Sequence, residues 1–297
     1  MPSKARDRQL AKLAARRKAE RDAANRRRRI TAGAVGGVIG LVAIVIGFKI
    51  VTGGNGTAGA SATPTVSATP TGPPTKTGTV TPTAPSAKKV ACGATKPAAA
   101  DTPKPQFDHA PSPNDVLKPD TVYTAEIKTS CGTITVKLDA ETSPQTVASF
   151  VFLAKQGYFD GTYFHRVSDS IDVIQGGDPT GTGRGGPGYV ISDELTGKEK
   201  YTPGTVAMAN GGPGTGGSQF FVITGPDGAN LNANATYTIF GSVAEGLDVA
   251  KTINALMPKK GYDGPPTEAV YIEKVTIHET KAPKPTPSVS ASSSPSA

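Results

Sequence analysis

Nothing in this sequence is spaced to hold a metal ion. Its only three histidines, His109, His165 and His278, lie far apart, and its two cysteines, Cys92 and Cys131, lack a C-x-x-C spacing. The serine elbow of the hydrolases is also missing. There is no basic excess outside the N-terminus. Residues 1–29 hold 12 Lys/Arg against 3 Asp/Glu, whereas the remaining 268 residues hold 20 against 21. The sequence pI of about 9.4 therefore belongs to one end of the chain. A nucleic-acid-binding domain needs its own basic face, and none is legible, so no nucleic-acid partner is expected. Tryptophan is absent altogether.

What is present is strongly segmented. Residues 30–48, from Ile30 through Phe48, carry no charge. Nineteen helical residues reach about 28 Å, the thickness of a bilayer core. With the basic block in front, residues 30–50 are predicted to be a single-pass transmembrane signal anchor in contact with the lipid bilayer. Residues 1–29 would lie in the cytoplasm and the rest outside. The competing reading is a signal peptide cleaved after Ala58-Gly59-Ala60. Gly33/Gly37 and Gly36/Gly40 have small-xxx-small spacing, but in so glycine-rich a run they carry no dimer prediction, and a monomer is expected. Outside the membrane Cys92 and Cys131 can form a disulfide, the alternative being two free thiols.

Residues 51–115 are rich in Thr, Pro, Ala, Ser and Gly and poor in large apolar residues, and they are predicted to be a disordered linker. Residues 281–297 have the same character. The segment 116–280 remains as the one stretch able to build a sizeable core. Alternating residues predict a hairpin of strands over 121–129 and 132–138. A helix follows, with Ser143 at its N-cap, Pro144 at its first position, an apolar face of Val147, Phe150, Val151 and Ala154, and Gly157 as its stop. Short strands are predicted over 163–167, 172–176, 205–209, 219–223, 238–243 and 269–277, with a second helix over 247–256. Many short strands with Gly/Pro-rich loops and two helices suggest a mainly β fold, a closed or nearly closed antiparallel barrel.

Gly181, Gly183 and Gly186 satisfy G-x-G-x-x-G. The dinucleotide fingerprint needs a helix opening at its end, and here Pro187-Gly188 follows, so no nucleotide and no other cofactor is expected. More informative are FHRV at 164–167, VIQGGDP at 173–179, AMANGGPGTGGSQFFV at 207–222 and YTIFG at 237–241. In this order, over residues 120–278, they resemble the cyclophilin family of peptidyl-prolyl cis-trans isomerases, in a bacterial, membrane-anchored form. The resemblance implies a closed eight-stranded antiparallel barrel capped by two helices. It also implies a site. Arg166 matches the essential arginine, Gln175 the glutamine of Q-G-G-D, and Asn210, with Ala209 beside it, the asparagine whose backbone pairs with substrate. Gln219 and Phe221 match the Q-F-F positions, Phe221 as the floor of the proline pocket. Leu231 matches a pocket leucine, and Tyr237 stands where many members have histidine.

The sequence departs from the family pattern in three places. One extra residue separates Arg166 from Gln175. Asp172-Val173 replaces a pocket Phe-Met pair, leaving Val173 as the candidate pocket residue. The groove-rim tryptophan is missing. The expected function is acceleration of X-Pro bond rotation in exported, proline-containing polypeptides. A proline-peptide-binding chaperone or scaffold with little catalysis is the alternative.

Overall fold

The computed structural model describes residues 72–282. The predicted cytoplasmic segment 1–29, the anchor 30–50, the start of the linker and the tail beyond residue 282 lie outside the described residues. Among the described residues no helix is long and apolar enough to cross a membrane.

The strands are β1 (Lys76–Val80), β2 (Lys104–Phe107), β3 (Thr121–Thr129), β4 (Gly132–Leu138), β5 (Arg166–Ser168), β6 (Val173–Gly176), β7 (Thr205–Met208), β8 (Phe220–Ile223), β9 (Ile239–Glu245), β10 (Asp263–Gly264) and β11 (Ile272–Lys281). The helices are α1 (Pro113–Val116), α2 (Pro144–Lys155) and α3 (Leu247–Asn254). β1 and β2 pair by themselves, and the other nine strands form one antiparallel sheet in the order β10-β5-β6-β8-β7-β9-β4-β3-β11. The eight-stranded closed barrel is thus corrected. Among the described residues the sheet has nine strands, and no ladder joins β10 to β11. The segment before β5 meets the segment before β11 at an isolated Tyr163–Tyr271 bridge, where Phe164 N donates to Val270 O, Ile272 N to Thr162 O and Gly161 N to Ile272 O. For the same reason the strand expected over 163–167 is reduced to Arg166–Ser168.

The hairpin β3–β4 forms where alternation places it, with Tyr123, Ala125, Ile127, Ile134, Val136 and Leu138 all turned into the core. α2 buries Val147, Phe150, Val151 and Ala154, and Gly157, at φ +65°, ends it in a conformation glycine adopts without strain. Ser143 occupies the N-cap position, but its Oγ donates to Ile239 O. The carboxylate of Glu194, remote in sequence, accepts from the N–H groups of Gln145 and Thr146 instead, at 2.9 and 2.8 Å. Phe150, Phe159, Phe220 and Phe240 pack stacked, tilted or edge-on at the centre of the core.

The largest departure from expectation is the segment 72–115. It is a folded extension rather than a linker. Phe107 is 2% exposed and meets Phe152 with ring centroids 4.8 Å apart. Ala91 is fully buried and its N–H donates to Ala269 O. Cys92 and Cys131 are joined by a disulfide with Cα atoms 5.2 Å apart. The Lys104 side chain is buried, its ammonium donating to the carbonyls of Ala99 and Asp160. A low apolar content conceals this because few residues do the anchoring, each in a recess made by the sheet domain.

Candidate functional site

Strand register assembles the site. Arg166 on β5 faces Gln175 on β6, Gln175 faces Phe221 on β8, Phe221 faces Ala207 on β7, and Ala207 faces Ile239 on β9. Residues paired across a sheet share a face, so these five line one row on the side away from the Phe150 core. Val173 and Ile223, two positions along β6 and β8, share that face. Their neighbours Phe220, Val222 and Ile174 point the other way, into the main core.

The apolar half of the row is a small separate cluster. Val173, Ala207, Phe221, Ile223 and Tyr201 form it, with Ile171, Ala209, Leu231, Tyr237 and Ile239 packed around them. The Tyr237 ring stands edge-on to Phe221, with centroids 5.2 Å apart. Tyr201 steadies Tyr237, its hydroxyl donating to Tyr237 O at 2.7 Å and accepting from Tyr237 N at 3.0 Å. Sequence reasoning missed Tyr201, Ile171 and Ala207. Alternation along β7 carries a signal for Ala207, but nothing local marks the other two.

The departure at Asp172-Val173 resolves into two roles. Val173 lies in the pocket cluster and is fully buried. Asp172 turns away at φ +46°, its Oδ2 accepting from Asp227 N and its carbonyl from Thr224 N. A short polar residue tolerates this left-handed position better than most, and the extra residue of the loop is absorbed there. Ile171 packs against the pocket in its place.

The polar half is one chain of hydrogen bonds. Arg166 Nη1 donates to Gln175 Oε1 at 2.9 Å, Gln175 Nε2 to Gln219 Oε1 at 3.0 Å, and Gln219 Nε2 to Gly185 O at 2.9 Å. On its other edge Arg166 forms a bidentate pair with Asp263, Nε to Oδ1 at 2.6 Å and Nη2 to Oδ2 at 2.8 Å. Asn210 is held by its side chain, which donates to Thr236 O at 2.8 Å and more loosely to Asp193. Among the described residues no other group hydrogen-bonds its backbone, which is left open to a ligand. Gln175, Ala209, Asn210 and Gln219 line a depression of about 420 Å³ with the glycine-rich loop Gly183–Pro187. A larger depression, about 630 Å³, lies beside β3, β4 and β9 and shares only Ile239 with the site.

The loop that contains the rejected G-x-G-x-x-G is tied down by Asp178. Burial pushes this carboxyl upward, but hydrogen bonds from the Thr180 hydroxyl and the N–H groups of Gly185 and Thr180 outweigh it and hold the group below the ordinary carboxylate range. Burial pushes neighbouring His165 below the usual imidazole range, and both its ring nitrogens lack hydrogen-bond partners. His165 is thus a buried ring without the contacts of a general base. The outer side of the loop rests on the extension. Phe107 N donates to Pro187 O at 2.8 Å, Gln106 Nε2 to Gly186 O at 2.7 Å, and Thr83 N to Thr180 O at 3.1 Å. Gly188 permits this approach, since a Cβ there would lie 2.6 Å from Phe107 O.

A model of the cyclophilin type peptidyl-prolyl cis-trans isomerase/CLD family matches residues 124–277. The chain belongs to this family. The cyclophilin domain is similar to the peptidyl-prolyl cis-trans isomerase A of Mycobacterium tuberculosis, at 43% identity over 175 residues, covering 52% of this chain and 91% of the relative. It is also similar to the mouse (Mus musculus) peptidyl-prolyl cis-trans isomerase-like 1, at 43% identity over 145 residues, covering 48% of this chain and 83% of the relative. Among solved structures, a Cryptosporidium parvum cyclophilin type isomerase aligns at 32% identity with a TM-score of 0.48, covering 53% of this chain and 98% of that one. The match begins at residue 124, so the extension with Gln106, Phe107 and Cys92 precedes the part that the family model describes. The cyclophilin's enzymatic class is peptidyl-prolyl cis-trans isomerase.

Proposed function

We propose that this row of residues rotates X-Pro bonds in proline-containing polypeptides outside the cytoplasmic membrane and so assists their folding after export. The amide bond resists rotation by about 18–20 kcal/mol because of resonance, yet the two X-Pro isomers differ little in energy. Such a reaction needs no nucleophile, base or cofactor. It needs the proline ring held, the preceding carbonyl free to swing, and a donor for the prolyl nitrogen as that atom loses conjugation.

Phe221, with Val173, Leu231, Tyr237 and Ile171, supplies an apolar seat for the ring. The open backbone of Asn210, with Ala209 beside it, pairs with the substrate chain. Gln175 and Gln219 transmit the position of Arg166 to the loop at Gly185. Arg166 is the catalytic residue, a charged donor aimed at the twisted nitrogen. The observation that carries the reading is the Arg166 guanidinium clamped on two edges, on the same sheet face as the apolar cluster around Phe221. The position outside the membrane rests on the basic block 1–29 and the uncharged run 30–48. The site is proposed to work in a monomer.

Isomerase kinetics of the full chain on an X-Pro peptide test the activity. A folded chain without turnover that still binds the peptide would favour the chaperone or scaffold reading. Protease added to intact cells tests the location: removal of the cyclophilin domain with residues 1–29 protected is expected, and a mature N-terminus near residue 61 would show cleavage instead.

A further inference from the structure

Arg166 has five N–H groups, of which three are engaged: Nε and Nη2 by Asp263 and Nη1 by Gln175. One N–H on each Nη atom remains free for a substrate. The geometry points to Asp263 as a positioning residue for the isomerisation step: its carboxylate fork fixes the plane of the Arg166 guanidinium so that the two remaining N–H groups face the prolyl nitrogen. The inference rests on the isomerase reading above and adds a residue to it.

The fold puts Asp263 there for backbone reasons. β10 is two residues long and pairs with β5, Asp263 opposite Ser168 and Gly264 opposite Val167. Ser168 and Arg166 are two positions apart and share a face, so Asp263 reaches Arg166 on the diagonal. The turn before Asp263 is anchored independently of the ion pair. Gly261 N donates to Asp169 Oδ2 at 2.6 Å, and Asp169 N to Tyr262 O at 3.0 Å. Removing the Asp263 side chain therefore leaves β10 in place.

The pair is of little use to stability. The side chains are 32% and 48% exposed, and exposed ion pairs contribute little. Its effect is orientational. A single hydrogen bond donated to Gln175 Oε1 holds one corner of the guanidinium and leaves the side chain free to swing about its χ angles. A fork on the opposite edge removes that freedom, and a planar bidentate partner suits arginine specifically.

The test is a double-mutant cycle on the full chain, read by isomerase kinetics, thermal unfolding and the NMR signal of the Arg166 Nε–H. Asp263→Ala is expected to lower kcat about tenfold with KM changed less than about twofold. The melting temperature should hold, and the Nε–H signal should exchange out. Asp263→Glu should restore part of kcat and Asp263→Asn less. In an Arg166→Ala background, Asp263→Ala should change nothing further. The proposal is overturned if Asp263→Ala keeps wild-type kcat, if its loss appears in KM alone, or if the same loss recurs without Arg166. An inactive wild-type chain would overturn the isomerase reading instead, and the Nε–H signal would still show whether Asp263 holds Arg166.

Discussion

The nine-stranded sheet and the extension in front of it are both folded, and they are held by different means. In the sheet the strands are held by repeated means, apolar residues buried on one face or, in β7 and β8, on both, and ladders of backbone hydrogen bonds between neighbours. The extension has a two-stranded ribbon of its own and then a few isolated attachments: Phe107, Ala91, Lys104 and the Cys92–Cys131 bridge. A two-stranded ribbon is at best marginally stable by itself. The extension therefore depends on docking, and it adds Ala91 and Phe107 to the core of the sheet domain. The two regions also divide the site. The sheet places Arg166, Gln175 and Phe221, and the extension supports the loop at Gly185–Pro187 that forms the groove's other wall.

This division can be tested from either side. Arg166→Ala acts on the sheet's contribution alone. Loss of a charged donor in the transition state should slow isomerisation by about 10²–10³-fold, with unfolding and peptide binding little changed. Wild-type turnover in a folded variant would remove Arg166 from the mechanism.

On the other side, Cys92→Ser with Cys131→Ser opens a cross-link spanning 39 residues. Chain entropy assigns such a bridge about 4 kcal/mol. The loss should appear in the first event of unfolding, release of the extension, followed by hydrogen exchange at Phe107 and Ala91. If global stability drops while those amides stay protected, the bridge is not what docks the extension.

Phe107→Ala should cost about 3–4 kcal/mol by emptying a buried aromatic site against Phe152. It should raise KM for peptides more than it lowers kcat, since the Pro187 support is weakened. Gln106→Ala removes only the bond to Gly186, and a change in KM of about two- to threefold with unaltered stability is expected. An equal fall in kcat would mean that the extension reaches the chemistry as well.

The smallest effect concerns pH. His165 is held below its usual range by burial, against the attraction of Asp178 and with some help from Arg166. The unfolded chain protonates this histidine near the ordinary 6.5, and the folded one resists. The unfolded state then binds more protons below that pH, so stability is full above about 6.5 and declines as the pH falls toward the folded value. Asp178, whose carboxyl is held low, adds a further loss at more acid pH. His165→Gln should flatten the first of these slopes in denaturation curves taken below about pH 6.5. An unchanged slope would place the titration elsewhere.

Much of the sheet was legible because its physics is local and periodic. β3 and β4 appear at their expected bounds, and α2 follows from Pro144, Gly157 and a four-residue apolar face. The contrast between Phe220 and Phe221 also follows from alternation alone. The motifs around Arg166, Gln175, Asn210 and Gln219 named a family, and the family supplied the expectation that they meet. Tertiary structure decided the rest. Alternation can show which face a strand buries, but it does not show whether the last strand closes onto the first. It does not reveal that Glu194 caps a helix some 50 residues earlier, or that a two-residue strand at Asp263 returns to grip Arg166. Nor could composition show that residues 72–115 fold. Their order depends on recesses that exist only once the sheet domain has formed, and a threonine- and proline-rich segment carries no local record of the surface that will receive it.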